Sequence, residues 1–98
     1  MAKQTVVRYT TKDEAAAKEN QRLIEAVFHE LANMRPPGLR YTVSRLDDAR
    51  SFVHVAVVEG DGNPLLDLES FRTFSSTVGE RAEAPPVAVT GDVFAHFG

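Results

Sequence analysis

The run Ser51-Phe52-Val53-His54-Val55-Ala56-Val57-Val58 constrains this chain more than any other stretch. It is rich in β-branched residues, free of Gly and Pro, and apolar at most odd and even positions alike. A half-exposed strand alternates, so a run apolar on both sides reads as a central strand covered on both faces. The chain's own helices can cover one face. A chain of 98 residues has room for a single core and too little material for a second cover. The expected second cover is another copy of the protein.

The flanking segments give the order of elements. Thr5-Val6-Val7-Arg8-Tyr9-Thr10 reads as a first strand, and Thr11-Lys12-Asp13-Glu14 matches a capping box with Thr11 as the cap. Ala16, Leu23, Ile24, Val27, Phe28, Leu31 and Met34 then recur at helical spacing until Arg35-Pro36-Pro37-Gly38 stops the helix. Leu39–Leu46 reads as a second strand, joined to the central run through the polar turn Asp47-Asp48-Ala49-Arg50 as an antiparallel hairpin. Glu59-Gly60-Asp61-Gly62-Asn63-Pro64 is a break. Leu68, Phe71, Phe74 and Val78 mark a second helix with Asp67 before it, and Val87–Ala95 a last strand.

Strand, helix, strand, strand, helix, strand is the βαββαβ order of an α+β ferredoxin-like fold, an antiparallel sheet with both helices on one face. One such domain spans residues 1–98. The first and third strands form the central pair and the fourth flanks the first. The aliphatic rows Val53, Val55, Val57 and Val87, Val89, Val93 are expected to meet the helices. The opposite face would then carry Val6, Arg8, Thr42, Ser44, Phe52, His54, Thr90, Asp92 and Phe94. That mixture of apolar and polar groups fits a sheet-to-sheet homodimer interface enclosing a polar-lined cavity.

Several stretches carry a family resemblance: Val6–Thr10, Glu19–Phe28, Pro37–Tyr41, Phe52–Val55, Asn63–Leu65 and Phe71–Phe74. Together they resemble the dimeric α+β barrel superfamily, and within it the small proteins related to antibiotic biosynthesis monooxygenases. The resemblance implies the fold, a homodimer, and cofactor-independent monooxygenase-like chemistry or small-ligand binding. The family's oxygenases place an Asn and a Trp in the pocket, and its haem-degrading branch adds a His ligand. This chain has no Trp, and Asn20, Asn33 and Asn63 fall on a helix or in a turn. The resemblance therefore carries none of the family's catalytic residues onto this sequence.

From the residues themselves, Arg8, His54 and Asp92 form the candidate constellation, brought together if the first strand lies between the third and fourth. Arg8 would position an anionic or phenolic substrate, His54 would transfer a proton, and Asp92 would orient one of them. The bland reading of the same trio is an ion pair and a hydrogen-bonded His that fix dimer register. A non-catalytic accessory homodimer with no pocket is the matching alternative for the whole protein.

Other chemistry finds little footing. The chain has no Cys, and its three His residues, His29, His54 and His96, are scattered, so no metal site is expected. Asp61-Gly62-Asn63 lacks the spacing of a calcium loop, and Ser75-Ser76-Thr77 lacks the glycines of a nucleophile elbow. Tyr9 and Tyr41 fall by parity on the helix side, the position of buried tyrosines with one bonded hydroxyl. A net charge of -3 without a basic patch argues against nucleic acid. No apolar run approaches the roughly 18 residues of a membrane span, and no signal-peptide core follows Met1, so a cytoplasmic protein is expected.

Overall fold

A computed structural model describes residues 2–98. Its elements follow the expected order: β1 (Lys3–Thr10), α1 (Glu14–Met34), β2 (Leu39–Arg45), β3 (Ser51–Val58), a 3-10 turn (Pro64–Asp67), α2 (Glu69–Arg81) and β4 (Val87–Asp92). The sheet is antiparallel throughout, in the order β2-β3-β1-β4. This is the ferredoxin-like α+β fold. No helix among the described residues is long and apolar enough to cross a membrane.

Local chemistry sets the element ends. Asp13, rather than Thr11, caps α1: its Oδ1 accepts from the Ala16 N–H at 2.7 Å. Thr11 is fully buried, and its hydroxyl donates to the Arg50 carbonyl at 2.8 Å, which ties the start of α1 to the β2–β3 turn. Arg35 adopts a left-handed conformation, φ 45°, and its N–H closes on the Leu31 carbonyl before Pro36 ends the helix. In the turn before β3, the Asp48 carboxylate accepts from the backbone N–H groups of Arg50 and Ser51 and from the Ser51 hydroxyl. Those bonds hold its pKa down at about 2. Leu68, not Asp67, stands at the start of α2, with no side-chain cap.

The core lies between the sheet and the helices, built on Tyr9, Ala17, Ile24, Val27, Phe52, Leu65, Leu68 and Phe74. Phe52 belongs to it, and that corrects the expected facing of β3. Cross-strand register pairs Tyr9 with Phe52, Val7 with His54 and Tyr41 with Ala56, so these residues share the helix side. Val53, Val55 and Val57 face the other way. The same inversion holds for β4, where Val87 and Val89 pair with Arg8 and Val6 and are 66% and 60% exposed. The physical reason is the aromatic ring: burying Tyr9 and Phe52 together removes more apolar surface than a row of valines would. They stack with ring centroids 5.8 Å apart.

Candidate functional site

With the even residues of β3 turned inward, His54 comes to lie beneath the helices, 5% exposed. Both of its ring nitrogens are engaged. Tyr9 Oη lies 2.7 Å from Nε2, and Tyr41 Oη lies 2.7 Å from Nδ1. The network extends into the helical layer, because Asn20 Nδ2 donates to Tyr9 Oη at 2.9 Å and Arg81 Nε donates to Asn20 Oδ1 at 2.9 Å. Arg81 is anchored in turn by Thr77 and by the Phe74 carbonyl, with its guanidinium 5.4 Å from the Phe74 ring centroid. Among the described residues no buried side-chain N or O atom lacks a hydrogen-bond partner. A network satisfied at this depth holds its members in one geometry.

Beside the network is a cavity of about 270 Å³ between the sheet and α2. Tyr9, Tyr41 and His54 form part of its wall, and Val7, Ala56, Val58, Leu65, Phe71, Phe74 and Val78 make most of the rest apolar. Lys3, Thr5, Asn63 and Ser75 add polar groups to that wall. A small apolar space with a few fixed polar groups is the usual form of a small-molecule site. Among the described residues no group of three His, Cys, Asp or Glu side chains is placed to hold a metal ion.

Burial governs the electrostatics. It holds the His54 pKa down at about 4, so the imidazole is neutral near pH 7. It pushes the Tyr9 hydroxyl up to about 12, against the smaller opposing pull of the Asn20 hydrogen bond. The Tyr41 hydroxyl is also raised, by burial first and by Tyr9 second. Both phenols therefore stay protonated.

A histidine titrating near 6.5 in the unfolded chain and near 4 in the fold takes up its proton more readily when unfolded. Its contribution to stability is complete above pH 6.5 and is lost as pH falls from there toward 4. The loss reaches up to about 3 kcal/mol. Urea midpoints measured across that window are expected to fall with acidification, and His54→Gln to flatten the slope. Asp48 acts in a separate window: its stabilisation is present above about pH 4 and is lost as pH falls toward 2.

The structure does not gather the three candidate residues. Arg8 pairs across β1 with Val53 and Val87, on the open face of the sheet, with the sheet itself between it and His54. Asp92 sits at the end of β4 opposite Lys3, and their side chains form an exposed ion pair at 2.7 Å. His54 alone reaches the cavity, on the helix side rather than in the sheet-to-sheet interface where it was expected. Tyr9 and Tyr41, read as ordinary buried tyrosines on that side, are its two partners.

Asn20 and Arg81 were missed. The signal for Asn20 was its position: Ala16, Ala17, Asn20, Ile24 and Val27 make one buried stripe of α1. A polar residue on such a stripe needs a partner inside.

No protein-family model matches the sequence, and no curated protein matches it. Solved structures do. A Nitrosomonas europaea protein with a provisional antibiotic biosynthesis monooxygenase name matches with a TM-score of 0.80 at 17% identity, over 99% of this chain and 94% of its own. A variant of SnoaB, a cofactor-independent oxygenase from Streptomyces nogalater, matches at 0.71 and 19% identity, over 97% and 95%. A dimeric ferredoxin-like protein from an uncultured marine organism matches at 0.68 and 13%, over 98% and 90%. The chain shares its fold with these proteins. On that shared fold this chain places no Trp. Asn20 stands on α1, behind the cavity wall, bonded to Tyr9.

Proposed function

We propose that the protein is a homodimer that binds a small, largely apolar molecule in the cavity between sheet and α2 and acts on it with monooxygenase-like chemistry. The observation that carries this reading is the cavity itself, about 270 Å³ with a buried Tyr9-His54-Tyr41 edge. A fold shared with a cofactor-independent oxygenase adds support by analogy. His54 is the proposed proton-moving group, acting through the tyrosine hydroxyls bonded to both its nitrogens. Lys3 lines the same cavity but is paired with Asp92, so the anion-positioning role first sought at Arg8 is not assigned to it. Arg8 is proposed to serve the dimer face instead.

Melting shifts against a panel of bicyclic ketones, phenols and small carboxylates test the binding half. A ligand at about 100 times its dissociation constant adds roughly 2.7 kcal/mol, a shift of several degrees for a domain of this size. Ala56→Leu, which fills the cavity from β3, is expected to abolish that shift. A panel-wide absence of shifts, or shifts that survive Ala56→Leu, would remove the cavity from the account. Oxygen uptake with whichever ligand binds then tests the chemistry.

A further inference from the structure

The hydrogen bonds behind the cavity have a single consistent direction, and it is set at Arg81. A guanidinium only donates, so the Asn20 atom it meets is the amide oxygen, Oδ1. The amide nitrogen of Asn20 therefore faces Tyr9 and donates to its hydroxyl oxygen. Tyr9 has one proton, and its partner besides Asn20 is His54 Nε2, so Tyr9 donates there and Nε2 is the unprotonated nitrogen. The neutral ring then carries its proton on Nδ1 and donates to Tyr41 Oη. Tyr41 is left with its own proton, which no described residue accepts.

We infer that this chain of donors, Arg81 to Asn20 to Tyr9 to His54 to Tyr41, presents the Tyr41 hydroxyl proton to the cavity and selects an uncharged apolar ligand bearing an acceptor oxygen, such as a ketone. The inference rests on the small-molecule reading above and deepens it to a ligand class. The other polar groups on the wall do not compete at that point. Thr5 faces Thr90, Lys3 holds Asp92, Ser75 lies near the Arg72 carbonyl, and Asn63 is exposed at the turn. Arg81 and Asn20 are positioning residues: they touch no ligand and fix which nitrogen of His54 holds the proton.

Asn20→Asp is the informative variant. The new carboxylate is nearly isosteric, pairs with Arg81, and can only accept. Tyr9 must then donate to it and accept from His54 Nε2, which reverses the tautomer and turns Tyr41 into a donor toward Nδ1. The cavity would then meet an acceptor where it had a donor. Nitrogen-15 NMR of the His54 ring is expected to show the Nδ1–H form in the native protein and the Nε2–H form in Asn20→Asp. A native Nε2–H form, or a tautomer unmoved by Asn20→Asp, would overturn the relay.

Three bicyclic probes of similar size read the ligand class: α-tetralone with an acceptor, indole with a donor, and tetralin with neither. Native protein is expected to bind α-tetralone about tenfold more tightly than tetralin, an advantage lost in Tyr41→Phe and passed to indole in Asn20→Asp. Equal binding of tetralin and α-tetralone by the native protein would overturn the ligand class while leaving the cavity reading intact. Failure of all three probes to bind, with tautomers as expected, would overturn the small-molecule reading and the ligand class with it. Should Asn20→Asp fail to fold, the native tautomer and the Tyr41→Phe comparison decide the matter.

Discussion

Val55→Asp is expected to leave the protein monomeric at concentrations where the native chain is expected to scatter light as a dimer. Val55 stands in the middle of the open sheet face, in a cross-strand row that runs Thr42, Val55, Val6, Val89. Val53 and Val57 flank it on β3, and the exposed Val87 and Val89 extend the apolar surface onto β4. A contiguous apolar face on a small protein marks an interaction surface. A two-fold interface built on it meets each substitution twice. An unpaired carboxylate buried there costs several kcal/mol per copy, enough to shift the dissociation constant by orders of magnitude. Because the sheet separates Val55 from the cavity, the circular dichroism spectrum should be preserved. A dimer that survives the substitution would exclude this face as the interface.

The second large effect is expected inside the core. Phe52 is 1% exposed, stacks on Tyr9, and lies 5.8 Å from the Arg45 guanidinium. Arg45 itself is held by Gln21 on α1 and by the Ala49 carbonyl. Truncation to Ala therefore opens a hole where β1, β3 and α1 meet, in surroundings too constrained to collapse. Phe52→Ala should cost about 3–5 kcal/mol, a large part of the stability of a domain this size. The melting temperature should drop by at least about 12 °C, with the urea midpoint falling at unchanged slope. A loss below about 1 kcal/mol would mean that the surroundings close over the hole. Tyr9 leans on the Phe52 ring, so the same variant should also broaden the His54 resonances.

Most of the architecture was legible. Helical spacing located both helices, the Gly- and Pro-rich breaks separated the elements, and the order of elements set the sheet topology. The facing of β3 was not legible from periodicity, because a strand apolar on both sides offers no contrast at period two. The cue lay in the neighbours. Tyr9 and Tyr41 were already assigned to the helix side, and antiparallel register carries that side to Phe52 and Ala56. Applying register before hydrophobicity would have put His54 beneath the helices and parted it from Arg8, which stays on the open face as read.

Arg81 offered no such cue. A charged residue at a helix end reads as solvated, and only the folded arrangement of Asn20, Thr77 and Phe74 gives it a buried place, 7% exposed. Asp92 likewise found its partner in Lys3, two residues outside the first strand as read from sequence.

The donor chain draws one side chain from each of α2, α1, β1, β3 and β2. Its contributors are far apart in sequence and share no local motif, so no fragment of the fold can assemble it. The hydroxyl it leaves at the cavity thus acts as a certificate of assembly. A ligand that reads the direction of that proton also reads whether two helices and three strands are seated in register, so recognition here is a property of the finished fold.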